Sequence, residues 1–159
     1  MTDFSSCPDV RLAVLEDIPE LLNIMKEACA EDAQHKMDEE KVLSMVMRHF
    51  NKQGAMIAVI GETGKPVAYV LAVLDSIWYS QDWQLLELSL FVSENHRKST
   101  YAKQLLQFLK ASAEGLGLPL TTGVFSHKRT EAKVRLYQRQ LPQVGAFFCF
   151  TPSTANSNA

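Results

Sequence analysis

A polar, basic turn between an apolar stretch and a long amphipathic segment could hold an anion. The turn covers 94–102 and reads ENHRKSTYA. If a helix begins there, its first backbone N–H groups have no partner inside the helix and point outward, which favours a negatively charged ligand. Arg97 and Lys98 add positive charge at the same place, so the turn could bind a pyrophosphate. A solvated basic helix start without a ligand explains the same residues.

A single carboxylate, Glu87, lies in the middle of the apolar stretch 85–92. Burying a carboxylate is costly unless it is paired or faces a cleft. Glu87 could therefore be a general base that removes a proton from a substrate, with Ser89 on the same strand face to orient a water. His127 is a weaker candidate for the base. The alternative is a glutamate whose charge is satisfied within the core or at a sheet edge.

The strands and helices that would position these residues can be recognised from the spacing of their apolar residues, which differs between the two. Apolar runs with strand character predict strands at 10–14, 55–60, 67–74, 85–92, 120–125 and 144–150. Helical spacing of apolar residues predicts helices from Asp17 to Cys29, from Asp38 to Phe50, over 99–116 and over 130–139. The order is therefore β-α-α-β-β-β-α-β-α-β. It predicts a mixed α/β domain with a mostly antiparallel central sheet of about 6–7 strands and about four flanking helices.

Alternation along 85–92 predicts which side chains share a face of the sheet. Residues two apart in a strand point to the same side. This places Leu86, Leu88, Leu90 and Val92 on one face, and Leu85, Glu87, Ser89 and Phe91 on the other.

Length and composition are those of one globular domain. The chain has 159 residues, of which 47% are hydrophobic and 21% charged. We expect a domain over 10–150, an N-terminal extension at 1–9 and a frayed tail at 151–159, where apolar residues are lacking.

The charge is distributed unevenly although the net charge is only −2. Residues 1–80 carry 7 Lys/Arg and 13 Asp/Glu, whereas residues 81–159 carry 9 and 5. A basic second half suggests that an anionic ligand docks there, and chance scatter of surface charge is the alternative. The positive charges are not interleaved with aromatic residues on a strand face, so we expect no nucleic-acid binding.

Three well-separated cysteines, Cys7, Cys29 and Cys149, have neither disulfide-framework nor metal-site spacing. No metal site is expected. The first residues lack the pattern of a signal peptide, and the apolar runs are shorter than the roughly 20 residues that cross a membrane. These features predict a reduced, cytoplasmic protein that does not associate with membranes.

The element order and the segment LELSLFVSENHRKSTYAKQLLQFL resemble the GNAT family, the acyl-coenzyme A dependent N-acetyltransferases. The acyl-CoA loop of that family carries Arg or Gln, two residues, Gly, one residue, then Gly or Ala. Arg97 takes the first position and Ala102 the last, and Thr100 stands at the central Gly. A helix start that keeps φ negative would tolerate Thr100, whereas a position that needs positive φ would weaken or abolish cofactor binding.

The resemblance implies a cofactor site around this loop. The pyrophosphate of acetyl-CoA would lie on backbone amides of 97–102, and its pantetheine arm beside the preceding strand. The sheet would splay at a bulge between the fourth and fifth strands to admit the cofactor. The implied cofactor-binding residues are Phe91, Val92, Arg97, Lys98, Ser99, Thr100, Tyr101 and Ala102.

A second landmark of the resemblance is Leu136-Tyr137 in the last predicted helix. In many GNAT proteins the tyrosine at this place protonates the thiolate that leaves coenzyme A. Here Lys133 stands where the family often has Ala. Tyr137 could instead be a half-buried helix aromatic. Four cations near this helix could meet the 3′-phosphate of the cofactor or be ordinary surface charges: Lys128, Arg129, Lys133 and Arg135.

The function that the resemblance implies is transfer of an acetyl group from acetyl-CoA to a primary amine of a small molecule or protein, by direct attack in a ternary complex. Glu87 would accept the amine proton and Tyr137 would protonate the thiolate. The alternative is a GNAT-like domain that has lost catalysis and serves as a binding or assembly module, such as one carried by a bacteriophage. The sequence leaves open whether the protein forms a homodimer. The aromatic loop at 75–83 could wall the acceptor pocket or form an oligomer interface.

Overall fold

Five strands and four α-helices follow one another along the described part of the chain. A computed structural model describes residues 4–32, 35–150 and 152. The strands are β1 Val10–Leu12, β2 Ala55–Glu62, β3 Lys65–Ser76, β4 Trp83–Val92 and β5 Leu120–Thr121. The α-helices are α1 Ile18–Asp32, α2 Glu39–Phe50, α3 Tyr101–Leu116 and α4 Thr130–Gln138. Short 3₁₀ turns precede α1 at Leu15–Asp17 and α3 at Glu94–His96.

The strands form one mixed sheet in the order β1-β2-β3-β4-β5. The first four strands pair antiparallel, and β5 pairs parallel with β4. The α/β class, the four helices and the mixed sheet are thus as the sequence predicted. The pairing of β4 with β5 covers only Leu85 and Leu86. Beyond Leu86, the rest of β4 up to Val92 has no strand on this side among the described residues.

The predicted number of strands, about 6–7, is wrong for the described residues, which form five. The predicted last strand, 144–150, is irregular and lies outside the sheet, with Val144 96% and Phe148 95% exposed. The predicted strand at 120–125 is only Leu120–Thr121. Both segments have apolar composition suited to strands, but a strand also needs a neighbouring edge, which local composition does not supply.

A β-bulge at Leu88 overturns the predicted faces of β4. Leu71 pairs with Ser89 whereas Ala72 pairs with Glu87, so Leu88 is left without a partner in β3. An extra residue in one strand reverses the alternation beyond it. Leu85 and Phe91, which were predicted on one face, consequently pack into different cores on the two sides of the sheet.

These two faces carry separate cores. On one face α3 packs through Leu105 and Leu109 against a cluster that includes Ala72 and Leu85. On the other face α1 and α2 cover a second cluster, whose fully buried members include Leu21, Val46, Ile57 and Val59. Leu85 belongs to the first core and Phe91 to the second. The change of face between them coincides with the bulge that follows Glu87.

The described part of the predicted N-terminal extension contacts α3. Phe4 stacks on Phe108 with 5.1 Å between ring centroids. Asp9 and Gln104 exchange two hydrogen bonds, of 3.1 and 2.7 Å. Residues 4–9 thus pack on the domain, and the predicted tail at 151–159 lies outside the described residues except for Pro152.

A buried carboxylate, Asp17, joins β1, the start of α1 and the β2–β3 turn. Its oxygens accept two hydrogen bonds from Arg11, at 2.6 and 2.8 Å, and one each from the backbone N–H groups of Val14 and Gly64. Burial alone would raise the pKa of Asp17, but these donors outweigh it and lower the pKa from 3.8 to about 2.

We expect Asp17→Asn to reduce the free energy of unfolding at neutral pH by about 2–4 kcal/mol, because it removes the charge that compensates these donors. The lowered pKa means that the carboxylate stabilises the fold above its ordinary pKa of 3.8 and that this contribution is lost as the pH falls towards 2. Urea denaturation at neutral pH and at about pH 3 measures both effects. Asp82→Asn, at an exposed position, is the matched control, and an equal loss in the two variants would contradict the prediction.

Candidate active site

The turn that precedes α3 presents backbone N–H groups without protein partners. The N–H of Tyr101 donates to Ser99 Oγ at 3.2 Å. Within the described part of the chain, the N–H groups of Lys98, Thr100, Ala102 and Lys103 make no hydrogen bond. They lie at the N-terminus of a 16-residue helix, where the helix dipole also favours negative charge. The turn therefore has the donors that an anion needs.

Thr100 fits its place in this turn without strain. Its φ is −86° and its ψ is 5°, a conformation open to all residues with a side chain. Its hydroxyl accepts a hydrogen bond of 3.0 Å from Gln104 Nε2. The positive φ that would favour glycine is thus not needed at Thr100.

Arg97 is tied into the fold on three sides. Its Nε donates to the carbonyl of Val92 at 3.2 Å, and its terminal nitrogen forms an ion pair with Glu31 at the end of α1. The guanidinium also lies 5.4 Å from the ring centroid of Phe91. Arg97 thereby holds the turn against the end of β4, and Glu31 compensates much of its charge.

The two candidate catalytic residues touch each other. The hydroxyl of Tyr137 in α4 lies 2.8 Å from each carboxylate oxygen of Glu87 in β4 and donates to them. Glu87 is only 8% exposed. A buried carboxylate and a phenol are therefore in direct contact, where a proton can pass between them.

Burial changes the proton affinity of both groups. It raises the pKa of Glu87 from 4.5 to about 7, although Tyr137 and Lys133 act in the opposite direction. Burial and the neighbouring Glu87 raise the pKa of Tyr137 well above its ordinary value. Glu87 is thus poised to gain or lose a proton near neutral pH, while Tyr137 keeps its proton.

Two adjoining cavities meet at this pair. The first, of about 220 Å³, lies between the end of β4, the start of α3 and α4. The second, of about 100 Å³, contains Glu87, Ser89 and Ser126 in its wall. Both are lined by Leu90, Phe91, Lys133 and Tyr137. The cavities occupy the region where β4 continues without β5.

The first cavity brings together part of the predicted cofactor site. It is lined by five of the predicted residues: Phe91, Val92, Arg97, Ser99 and Ala102. The side of the turn that carries Lys98, Thr100 and Tyr101 does not line it, and Tyr101 instead stacks on His96 at 6.2 Å. His127 and the exposed aromatic residues Trp78, Tyr79 and Trp83 line neither cavity.

The sequence gives no signal for the role of Glu31 in the cavity wall. Glu31 lies near the end of α1, and its partner Arg97 is 66 positions away. No local pattern connects the two. Lys133 had a signal, since it replaces the alanine that the GNAT resemblance leads one to expect.

Residues 4–32, 35–150 and 152 contain no cluster of three or more His, Cys, Asp or Glu side chains suited to a metal ion. None of the helices in these ranges has the length and apolar character to cross a membrane.

Comparison with known proteins gives one family. Residues 18–141 match the model of the acetyltransferase (GNAT) family. No curated protein matches the chain.

Solved structures share the fold at low sequence identity. A predicted acetyltransferase from Clostridium acetobutylicum, solved with acetyl-CoA, is 11% identical with a TM-score of 0.70, over 89% of this chain and 94% of that one. An integron cassette protein from the mobile metagenome of Cole Harbour Salt Marsh is 19% identical with a TM-score of 0.68, over 95% and 96%. An aminoglycoside 6′-N-acetyltransferase from Acinetobacter haemolyticus is 10% identical with a TM-score of 0.66, over 91% and 97%.

The raised pKa of Glu87 predicts how stability depends on pH. Since the folded pKa, about 7, lies above the ordinary 4.5, folding favours the protonated form. The contribution of Glu87 to the free energy of unfolding is greatest below the ordinary pKa and is lost as the pH rises through about 7.

Glu87→Gln, which cannot ionise, should therefore gain stability relative to the parent protein between about pH 5 and about pH 8. Urea denaturation at the two pH values measures the difference. Glu114→Gln, at an exposed position of α3, should change little. An unchanged difference between Glu87→Gln and the parent at both pH values would show that Glu87 ionises at its ordinary pKa.

Proposed function

The chain belongs to the GNAT acetyltransferase family, and from this premise we propose that it moves the acetyl group of acetyl-CoA to a primary amine of a small molecule or protein. The amine attacks directly in a ternary complex. The observation that carries the proposal is the contact of Tyr137 with Glu87 where the two cavities meet.

The cofactor is assigned to the first cavity. Its pyrophosphate would accept hydrogen bonds from the unpaired N–H groups of Ala102 and Lys103, the two of these donors whose residues line the cavity. The pantetheine arm would run beside Phe91 and Val92, along the part of β4 that β5 leaves uncovered. When bound, acetyl-CoA supplies the thioester that is attacked.

The chain supplies the acid and the base. Glu87 as carboxylate accepts the proton that the amine loses, and burial gives it a pKa near the pH at which it must act. Tyr137 gives its proton to the sulfur when the carbon–sulfur bond breaks. The hydrogen bond between the two lets Glu87 return the proton to Tyr137, so the pair ends each cycle as it began.

The acceptor amine is assigned to the second cavity, which contains Glu87 and the hydroxyl of Ser89 in its wall. One structural neighbour is an aminoglycoside acetyltransferase. At 10% identity the likeness extends to the fold, so the acceptor of this chain is proposed only as a primary amine.

The ion pair of Arg97 with Glu31 favours a second candidate function, a binding or assembly module without catalysis. In that case the cation of the cofactor turn serves the fold and not a phosphate. The negative φ of Thr100 and the unpaired N–H groups support the enzyme instead, because they leave the anion site intact.

Self-association is a further part of the proposal. The segment 144–150 is apolar and exposed, with Phe150 at 86%, and β5 is the last strand of the sheet. An exposed apolar segment and the outer edge of a last strand can each pack against the same feature of a second copy. We therefore propose that a second copy of this chain packs on 144–150 and covers it.

We expect acetyl-CoA to bind saturably in calorimetry. Tyr137→Phe should bind it equally well yet lower kcat by roughly 10–100-fold, because it lacks only the acidic proton. Coenzyme A release with a panel of primary amines measures the rate. Arg97→Ala should weaken binding, since the turn loses its tie to the Val92 carbonyl.

Tyr79→Phe is the matched control, because Tyr79 is exposed and lines neither cavity. Unchanged kcat in Tyr137→Phe would remove Tyr137 from the mechanism. Lack of acetyl-CoA binding by the parent protein would favour the binding module.

Light scattering should show a dimer that Phe148→Ser combined with Phe150→Ser converts to a monomer, because both rings lie in the exposed segment. Trp78→Ser, at a 92% exposed position of the aromatic loop, should leave the dimer intact. Dissociation by Trp78→Ser alone would place the interface at the loop, and a parent protein that stays monomeric would refute the assignment.

A further inference from the structure

One lysine, Lys133, stands at the junction of the two cavities. It lies one helical turn before Tyr137 on α4, so the two side chains share a face of the helix. Among the described residues, Lys133 is the lysine that lines both cavities, whereas Lys103 lines only the first. Its amine is therefore next to the acid–base pair and beside the space assigned to acetyl-CoA.

The surroundings of Lys133 keep its amine inside the site. Its Nζ donates a hydrogen bond of 3.0 Å to Ser126 Oγ, in the wall of the second cavity. The charged groups that act on it come from three elements and the turn before α3: Glu31, Glu87, Arg97 and Arg129. The two carboxylates favour the ammonium form and the two guanidinium groups oppose it.

Desolvation outweighs the attraction of the carboxylates. Partial burial, the largest influence, lowers the pKa of the Lys133 amine from 10.5, and the neighbouring Arg97 and Arg129 act in the same direction. More of the amine is thus neutral near physiological pH than for a lysine in water. Only the neutral amine has the lone pair that attacks a thioester.

We propose that Lys133 is itself an acetyl acceptor, so that the protein acetylates its own active-site lysine from acetyl-CoA held in the first cavity. The proposal rests on the proposed function, since it uses the same donor and the same acid–base pair. It adds a covalent modification site to the wall between cofactor and acceptor.

The reaction balances with the groups that the site contains. The neutral Nζ of Lys133 forms a bond to the carbonyl carbon of the thioester, and the carbon–sulfur bond breaks. The nitrogen loses one proton to Glu87, and the sulfur takes one proton from Tyr137. Glu87 then returns its proton to Tyr137 across the 2.8 Å hydrogen bond. The products are acetylated Lys133 and free coenzyme A.

Acetylation of Lys133 would also regulate the site. It replaces a cation by a larger neutral amide at the place where both cavities meet. The added acetyl group narrows the approach of another amine to the thioester. Modification would therefore slow transfer to external acceptors, and an abundant external amine would compete with Lys133 for the acetyl group.

The test is incubation of the full chain with acetyl-CoA and no added amine, followed by peptide mass spectrometry over time. We expect one acetyl group on Lys133 in the parent protein and none at this position in Lys133→Arg. Glu87→Gln should acetylate Lys133 at least about tenfold more slowly, because it lacks the base. Lys65→Arg, at an exposed lysine at the start of β3 that lines neither cavity, should leave the modification of Lys133 unchanged.

Coenzyme A release with added amines and acetyl-CoA calorimetry on the same samples separate the possible failures. Transfer to an added amine with Lys133 unmodified overturns this inference and leaves the proposed function standing. Acetylation of Lys133 at an equal rate in Glu87→Gln shows spontaneous chemistry and also overturns it. Lack of acetyl-CoA binding overturns both proposals.

Lys133→Gln provides an independent check of the regulatory role, because its neutral amide resembles acetyl-lysine. It should release coenzyme A with an added amine as slowly as the fully acetylated parent protein. Rates equal to those of the unmodified parent would refute regulation by Lys133.

Discussion

The hydrogen bond from Tyr137 to Glu87 attaches α4 to the middle of β4, and the shape of the site depends on it. Every residue of α4 is described and none is buried, so apolar packing holds this helix less firmly than α3. Further polar contacts join Lys133 Nζ to Ser126 Oγ at 3.0 Å and, just after α4, Lys110 Nζ to the carbonyl of Gln140 at 3.1 Å. The buried contact between Tyr137 and Glu87 thus holds α4 beside β4, and the two cavities remain between them.

Much of the scaffold followed from the sequence, because it depends on local periodicity. The four helices and the antiparallel order of β1 to β4 have strong apolar patterns and turn signals. The bulge at Leu88 had no such signal, since it arises from register against β3. The segment 144–150 shows a second limit of sequence-based prediction. Its composition suits a strand, but a strand forms only where it can pair with the edge of another strand. Glu87 and Tyr137 were each predicted, but their contact spans 50 positions and depends on the bulge and on α4 together.

The bulge also explains how one strand contributes to two cores and carries a buried carboxylate beside a cavity. Leu85 and Phe91 pack on opposite faces although they are separated by an even number of positions. Between them the strand must change face, and Glu87 lies just before the change. A residue there borders the gap left by β5, so a carboxylate can be buried by protein on most sides and still adjoin a cavity. Its raised pKa is a consequence of that position.

Thr100 shows that this turn keeps its unpaired N–H donors without the glycine of the usual sequence pattern. Glycine in such loops provides either positive φ or room for a close backbone approach. In this turn φ is negative at Thr100, and the hydroxyl turns back to Gln104 and away from the first cavity. What binds an anion is the set of free N–H groups and the helix dipole, and both depend on where α3 begins. The glycine motif is one sequence that forms such a helix start. Thr100 departs from that motif, but the backbone N–H groups at the start of α3 remain unpaired.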